Sequence, residues 1–229
     1  MPRNRAFFHY SRNTAKSVTR MDDGYIKYSS ERHDGLIPEL AGLDALNEVR
    51  TQLFDIGLIG IHPDGVGYGN LSIRAQDDTF IITASATGGL RVLRREQYCL
   101  VESISIENNH VRSRGALPAS SESMTHGAIY AANPAAQCVA HVHCRILFDY
   151  WLANEGLMTA PDIPYGTPAM ASAVYQLART AATLPVLFAM AGHDEGIVAF
   201  GSDVPTVLAH LLAQLERTKD NDKDRNHRR

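Results

Sequence analysis

Residues 137–144, QCVAHVHC, place two histidines, His141 and His143, two positions apart inside an apolar run. On a strand, residues i and i+2 project from one face. On a helix they point about 200° apart, so the two rings can act together only if the segment is extended. Val139 and Val142 favour that state. Neutral imidazoles are common ligands of zinc and similar divalent ions, and a catalytic site of this kind needs one more protein ligand and an open position. Two histidines in a half-buried strand, each satisfied by a hydrogen bond, account for the same spacing without a metal.

Just upstream, Ser120 and Ser121 precede a helical segment over residues 122–132 that stops at Asn133-Pro134. Serines there can accept hydrogen bonds from free helix N–H groups, and an acid in the first turn, Glu122, suits the helix dipole. His126 lies four residues after Glu122 on the same helical face and is a second candidate near the site. Downstream, the run containing Phe148, Tyr150 and Trp151 reads as a core helix, and DIPYGT at 162–167 as a loop leading to a helix over 168–182. Residues 185–191 and 196–200 read as two strands whose hairpin turn holds His193 and Glu195. The apolar stripe Val207, Leu208, Leu211, Leu212, Leu215 predicts a last helix from 204.

Toward the N-terminus, Leu40, Leu43, Leu46, Val49, Leu53 and Ile56 recur at helical spacing, which predicts a helix over 39–57 with Gly57 as its stop. Gly65, Gly67 and Gly69 then run into Asn70, where tight turns can expose N–H groups to an anion. TFIIT at 79–83 reads as a strand, and the small residues ASATGG at 84–89 form a loop that lets a ligand come close, or a plain turn. Residues 98–106 and those from His110 read as a hairpin turning at Asn108-Asn109.

The 229 residues, 45% hydrophobic, suffice for one sizeable domain. A formal net charge of −3 argues against nucleic acid or an anionic membrane as the main partner, and leaves small polar substrates open. Cys99, Cys138 and Cys144 form no CxxC pair, which suits a reducing cytoplasm. Residues 1–30 carry four arginines and no apolar core of a signal peptide. The expected layout is an N-terminal arm at 1–35 that orders against a partner subunit, a domain at 36–217, and a disordered tail at 218–229, where no apolar residue remains to be buried.

Together, Ser120-Ser121-Glu122, His126, Tyr130, Pro134 and His141-Val142-His143 resemble the class II aldolase/adducin family, the zinc-dependent group that includes fuculose-phosphate aldolase and ribulose-phosphate 4-epimerase. Asn70-Leu71-Ser72 after Gly69, and Pro164-Tyr165-Gly166-Thr167, are supporting matches; the resemblance covers roughly residues 40–215. It implies a single-domain three-layer α/β/α fold with a central, largely antiparallel sheet, assembled as a homotetramer with sites at subunit interfaces. It also implies His141, His143 and a third histidine as ligands of Zn2+ (or Mn2+, Co2+ or Fe2+), with Glu122 as the proton-transferring group. Asn70, Thr87, Gly88, Ser120 and Ser121 would face the phosphate or carboxylate end of a small substrate.

Two departures stand out. The family's third ligand is a His directly before a Gly, with a second Gly after four more residues; here Gly196 and Gly201 fit the glycines, but Glu195 holds the His position and His193 lies two residues earlier. His193 is favoured over Glu195, because the family relies on imidazole there and a turn tolerates insertion. The loop TASATGG is longer than the family's compact phosphate loop, so a phosphorylated substrate does not follow from the resemblance. The leading reading is a metal-dependent lyase acting next to a carbonyl on a small hydroxylated or carboxylated substrate. The alternatives are an epimerase, dehydratase or decarboxylase on the same scaffold, and a non-catalytic, adducin-like interaction module.

Overall fold

The computed structural model describes residues 25–227. Its strands are β1 (Ser29–His33), β2 (Gly60–Ile61), β3 (Gly67–Tyr68), β4 (Asn70–Arg74), β5 (Phe80–Thr83), β6 (Tyr98–Ser105), β7 (His110–Arg114), β8 (Cys138–His143), β9 (Val186–Ala189) and β10 (Gly196–Gly201). The helices are α1 (Leu43–Asp55), α2 (Ser123–Ala132), α3 (Arg145–Ala153), α4 (Pro168–Thr180) and α5 (Val204–His227). Eight strands form one sheet in the order β1-β7-β6-β5-β4-β8-β10-β9, while β2 and β3 make a separate small hairpin. Among the described strand pairs of the large sheet only β1–β7 is parallel.

The sheet carries a hydrophobic core on each face, which gives the expected three layers. On one side Leu46 and Leu53 of α1, Leu147 and Phe148 of α3 and Leu211 of α5 pack on Leu71, Ile81, Ala140, Val142, Ile197 and Ala199. On the other, Ile129 of α2 and Met170 and Val174 of α4 pack on Ile82, Val101, Val139, Phe188, Val198 and Phe200. Consecutive residues of β10 thus go to opposite cores, as the two-residue period of a strand requires. The same alternation in β8 sends Ala140 and Val142 to the first core and leaves Val139, His141 and His143 facing the α2/α4 side. β8 and β10 are buried along their whole length, so their sequences read as continuous apolar runs broken only by the histidines.

Three expectations are corrected by this structure. The arm at 1–35 is part of the domain from Tyr28 onward: β1 adds to the edge of β7, and the Tyr28 hydroxyl donates to the carbonyls of Ala119 (3.2 Å) and Ser120 (2.9 Å). The five side chains of β1 are all exposed, so the strand is held by backbone bonds and offers no apolar alternation to read. Residues 1–24 of that arm lie outside the described residues. At the other end α5 continues to His227, and residues 218–221 of the expected disordered tail belong to the domain: Thr218 is buried and Asn221 donates to the Tyr150 hydroxyl (3.3 Å), extending the contact with α3. Finally α1 starts at Leu43, after Gly42 with φ 98°, and not at residue 39.

Candidate metal centre

His141 and His143 lie on β8 between β4 and β10, with Asn70 and Val198 opposite His141 and Gly196 opposite His143. The His141 Nδ1–H donates to the Ile197 carbonyl (3.2 Å), which leaves Nε2 as the ring's lone-pair nitrogen. That Nε2 is 3.3 Å from Nε2 of His143. Two nitrogens bound at about 2.0–2.1 Å to one tetrahedral ion are about 3.3 Å apart. The same spacing also serves an N–H···N hydrogen bond between the rings without metal. His193 completes the group from the turn after β9: its ring centroid is 5.0 Å from that of His141 and 4.9 Å from that of His143. All three are buried, and their ligating atoms lie within 4.8 Å of one another. The donor set therefore fits a divalent ion, with three imidazoles as in open catalytic zinc sites.

The turn presents His193 and Glu195 differently. The His193 N–H donates to the Met190 carbonyl (2.8 Å) and the Gly196 N–H to the His193 carbonyl (2.9 Å), so the turn folds back on the imidazole. A Cβ on Gly192 would overlap the Ile163 carbonyl, so only glycine lets this turn close. Glu195 has φ 63° and its carboxylate accepts from Arg145 Nε (3.1 Å). Tyr165 stacks on the His193 ring at 4.2 Å, and Lys27 Nζ caps the tyrosine ring at 3.6 Å from its centroid.

The five residues singled out for substrate contact converge on one small concavity, lined by Asn70, Thr87, Gly88, Ser120 and Ser121 together with Gly67 and Gly69. A Cβ on Gly88 would overlap the Gly60 carbonyl oxygen and sit 2.9 Å from Gly67 Cα, so the loop and the β2–β3 hairpin meet this closely only because position 88 is glycine. The loop's carbonyls are held from beneath by Arg50, whose Nη2 donates to Thr87 (2.9 Å) and Gly88 (3.4 Å). Burial of this guanidinium lowers its pKa, and the positive charge lies directly behind the concavity. The Asn70 Oδ1 is buried and has no hydrogen-bond partner among the described residues, and Asn70 itself sits opposite His141 on the neighbouring strand. Glu122 is the N-cap residue of α2, buried, with Oε2 accepting from Thr125 Oγ1 (2.6 Å); its own N–H donates to Ser120 Oγ (3.3 Å).

His126 belongs to a different network. Its Nδ1 is 2.7 Å from Ser72 Oγ, which is also 2.7 Å from the Tyr130 hydroxyl, and burial holds its pKa well below the usual histidine range. Several site residues escape sequence reading. Arg50 has one signal, a charge on the apolar stripe of α1 between Leu46 and Leu53. Tyr68 and His62, whose rings lie 5.3 and 5.7 Å from that of His143, come from the β2–β3 hairpin, too short to show any period.

Residues 64–218 match the family described as Class II Aldolase and Adducin N-terminal domain. Among solved structures, L-fuculose-1-phosphate aldolase from Thermus thermophilus aligns with TM-score 0.61 at 22% identity, covering 81% of this chain and 94% of that one. A sugar-phosphate aldolase from Thermotoga maritima gives TM-score 0.64 at 15% identity over 81% and 95%. YgbL from Klebsiella pneumoniae, described as a candidate aldolase/epimerase/decarboxylase, gives 0.54 at 22% over 76% and 84%. At these identities the likeness is one of fold. No curated protein matches the chain.

Proposed function

The chain belongs to the class II aldolase and adducin family, and on that premise we propose that it is a metal-dependent lyase that cleaves or forms a carbon–carbon bond next to a carbonyl in a small hydroxylated or carboxylated, sugar-like substrate. The observation that carries this reading is the 3.3 Å approach of the His141 and His143 Nε2 atoms with His193 beside them on a buried face. His141, His143 and His193 would hold a divalent ion, Zn2+ or one of Mn2+, Co2+ and Fe2+, since three imidazoles suit several metals. Such an ion supplies Lewis-acid polarisation of a carbonyl oxygen when bound.

The remaining work falls to the chain. Cleavage needs a base for the hydroxyl proton beyond the scissile bond and an acid for the carbon left behind, and one carboxylate can do both in turn. We assign this role to Glu122, and what supports it is a buried carboxylate beside Ser120 and Ser121, with its backbone at the head of α2 and one oxygen held by Thr125. Asn70, Thr87, Gly88, Ser120 and Ser121 bind the anionic end of the substrate, with Arg50 contributing a fixed charge behind them.

The test is metal uptake and turnover. Chelated protein reloaded with each of the four metals should take up one equivalent per chain and then release an aldehyde from hydroxy-ketone substrates, phosphorylated or carboxylated. Failure to take up any of them would leave an interaction module on this fold. Stable uptake with enolisation or loss of CO2 but no cleavage would favour an epimerase or decarboxylase, as in the description of YgbL. We also assign the protein to the cytoplasm, supported by three buried free cysteines. No helix among the described residues is long and apolar enough to cross a membrane.

The functional assembly is a homotetramer with sites at subunit interfaces. Exposed Ile61, Leu90 and Val92 on and beside the hairpin and the loop of the concavity supply apolar surface for such contacts. Light scattering at micromolar concentration should give about four times the 25.1 kDa chain mass, and a monomeric mass would remove the interface location.

A further inference from the structure

Asp194 and Glu195 stand between the third histidine of the cluster and Gly196, and both carboxylates are gathered by one guanidinium. Arg145 Nε is 3.1 Å from Glu195 Oε1, Arg145 Nη2 bonds Asp194 Oδ2, and Nη1 lies 3.4 Å from Asp149. Gly196 pairs with His143 across β8 and β10, so the arginine two residues after His143 emerges at the foot of the turn that carries His193. The Cys144 N–H donates to the Glu195 carbonyl (3.0 Å), tying the same turn to the same segment. We propose that Arg145 is a positioning residue for the metal centre: it clamps the Asp194-Glu195 pair of the turn and so holds the His193 ring against His141 and His143. This inference rests on the metal site under Proposed function.

The physical case is local. Glu195 has φ 63°, a left-handed conformation that a residue with a Cβ adopts only when its surroundings impose it. Two adjacent carboxylates in a tight turn repel each other, and a planar fork with several donors can bridge both, whereas an ammonium acts as a single point charge. The pairs are largely exposed, with side-chain exposures of 44% for Arg145 and 53% for Asp194, so they add little to global stability. Their effect should be read at the metal. Tyr165 stacks on the His193 ring, so the clamp acts on the backbone of the turn and not on the face of the ring.

The sign of the effect separates a clamp from simple electrostatics. A cation beside a cation site opposes metal binding, so charge alone predicts that removing Arg145 tightens it. The clamp predicts the reverse. Metal-free wild type, Arg145→Met and Arg145→Lys are titrated with Zn2+ against a chromophoric chelator and with Co2+ by visible absorption. Arg145→Met should bind Zn2+ about 10-fold more weakly, the low end of losses seen when groups supporting a ligand are removed. Its Co2+ bands should shift, and its metal-free melting temperature should stay close to wild type. Arg145→Lys should recover part of the affinity. Equal or tighter binding by Arg145→Met overturns the clamp; if the Co2+ bands also change, Glu195 has been freed to reach the metal. A lowered melting temperature with unchanged affinity and bands makes Arg145 merely structural, and loss of fold in both variants does the same. If wild type takes up no metal, the reading of the metal site itself falls, and the clamp with it.

Discussion

His141→Ala, His143→Ala and His193→Ala each lower metal affinity by more than about 100-fold while the domain stays folded, and Glu195→Gln leaves the metal bound. Groups that only support a metal ligand are typically worth about 10–100-fold in affinity, so removing one of three ligands exceeds that range. The fold survives because β8 is held by pairing to β4 on one side and β10 on the other, and by Val139, Ala140 and Val142 in the two cores. His193 counts with the strand histidines because its ring centroid is 5.0 and 4.9 Å from theirs, whereas the Glu195 carboxylate is directed to Arg145. Gln at 195 keeps an oxygen that can accept from Arg145, so the turn persists. Equilibrium dialysis of the four variants checks this. Full occupancy in both strand variants would end the metal reading, and loss of metal in Glu195→Gln with retention in His193→Ala would make the site His₂-Glu, a set that also serves catalytic zinc.

The choice between His193 and Glu195 also shows where sequence reading stops. Alternation and spacing mark β8, β10 and the helices, because each buries one stripe or two faces, and burial leaves a period in the sequence. The pairing of His141 with His143 follows from that period alone. The third member of the cluster does not: which of residues 193 and 195 turns inward depends on the φ of Glu195 and on an arginine about 50 positions away, neither of which has a local signature. The concavity is similar. Asn70, Thr87 and Ser120 are legible as parts of one site only through resemblance, and they meet because β4, the loop after β5 and the head of α2 converge, a matter of topology. β1 and the β2–β3 hairpin leave no trace, the first because all its side chains are exposed and the second because two-residue strands carry no period.

Glu122→Gln keeps the metal and lowers turnover by about 10²–10⁴-fold, the range for loss of a positioned proton-transfer group. The substitution is nearly isosteric, so the amide can still accept from Thr125 Oγ1, and the backbone N–H at 122 still donates to Ser120 Oγ. What disappears is the capacity to take and return a proton. The competing account makes Glu122 an acid at a helix start, favoured there by the dipole and worth about 0.3–1 kcal/mol. That account predicts a small drop in melting temperature and near wild-type turnover. Burial weighs against it: Glu122 is 2% exposed, and a carboxylate kept at a helix end for the dipole alone would be better solvated outside. Thr125→Val separates the two further, since removing the hydroxyl that holds Oε2 should lower turnover by disturbing the carboxylate's aim while its charge at the helix start is untouched. Near wild-type rates in both variants would return Glu122 to a purely structural role and leave the proton transfer to another group at the site.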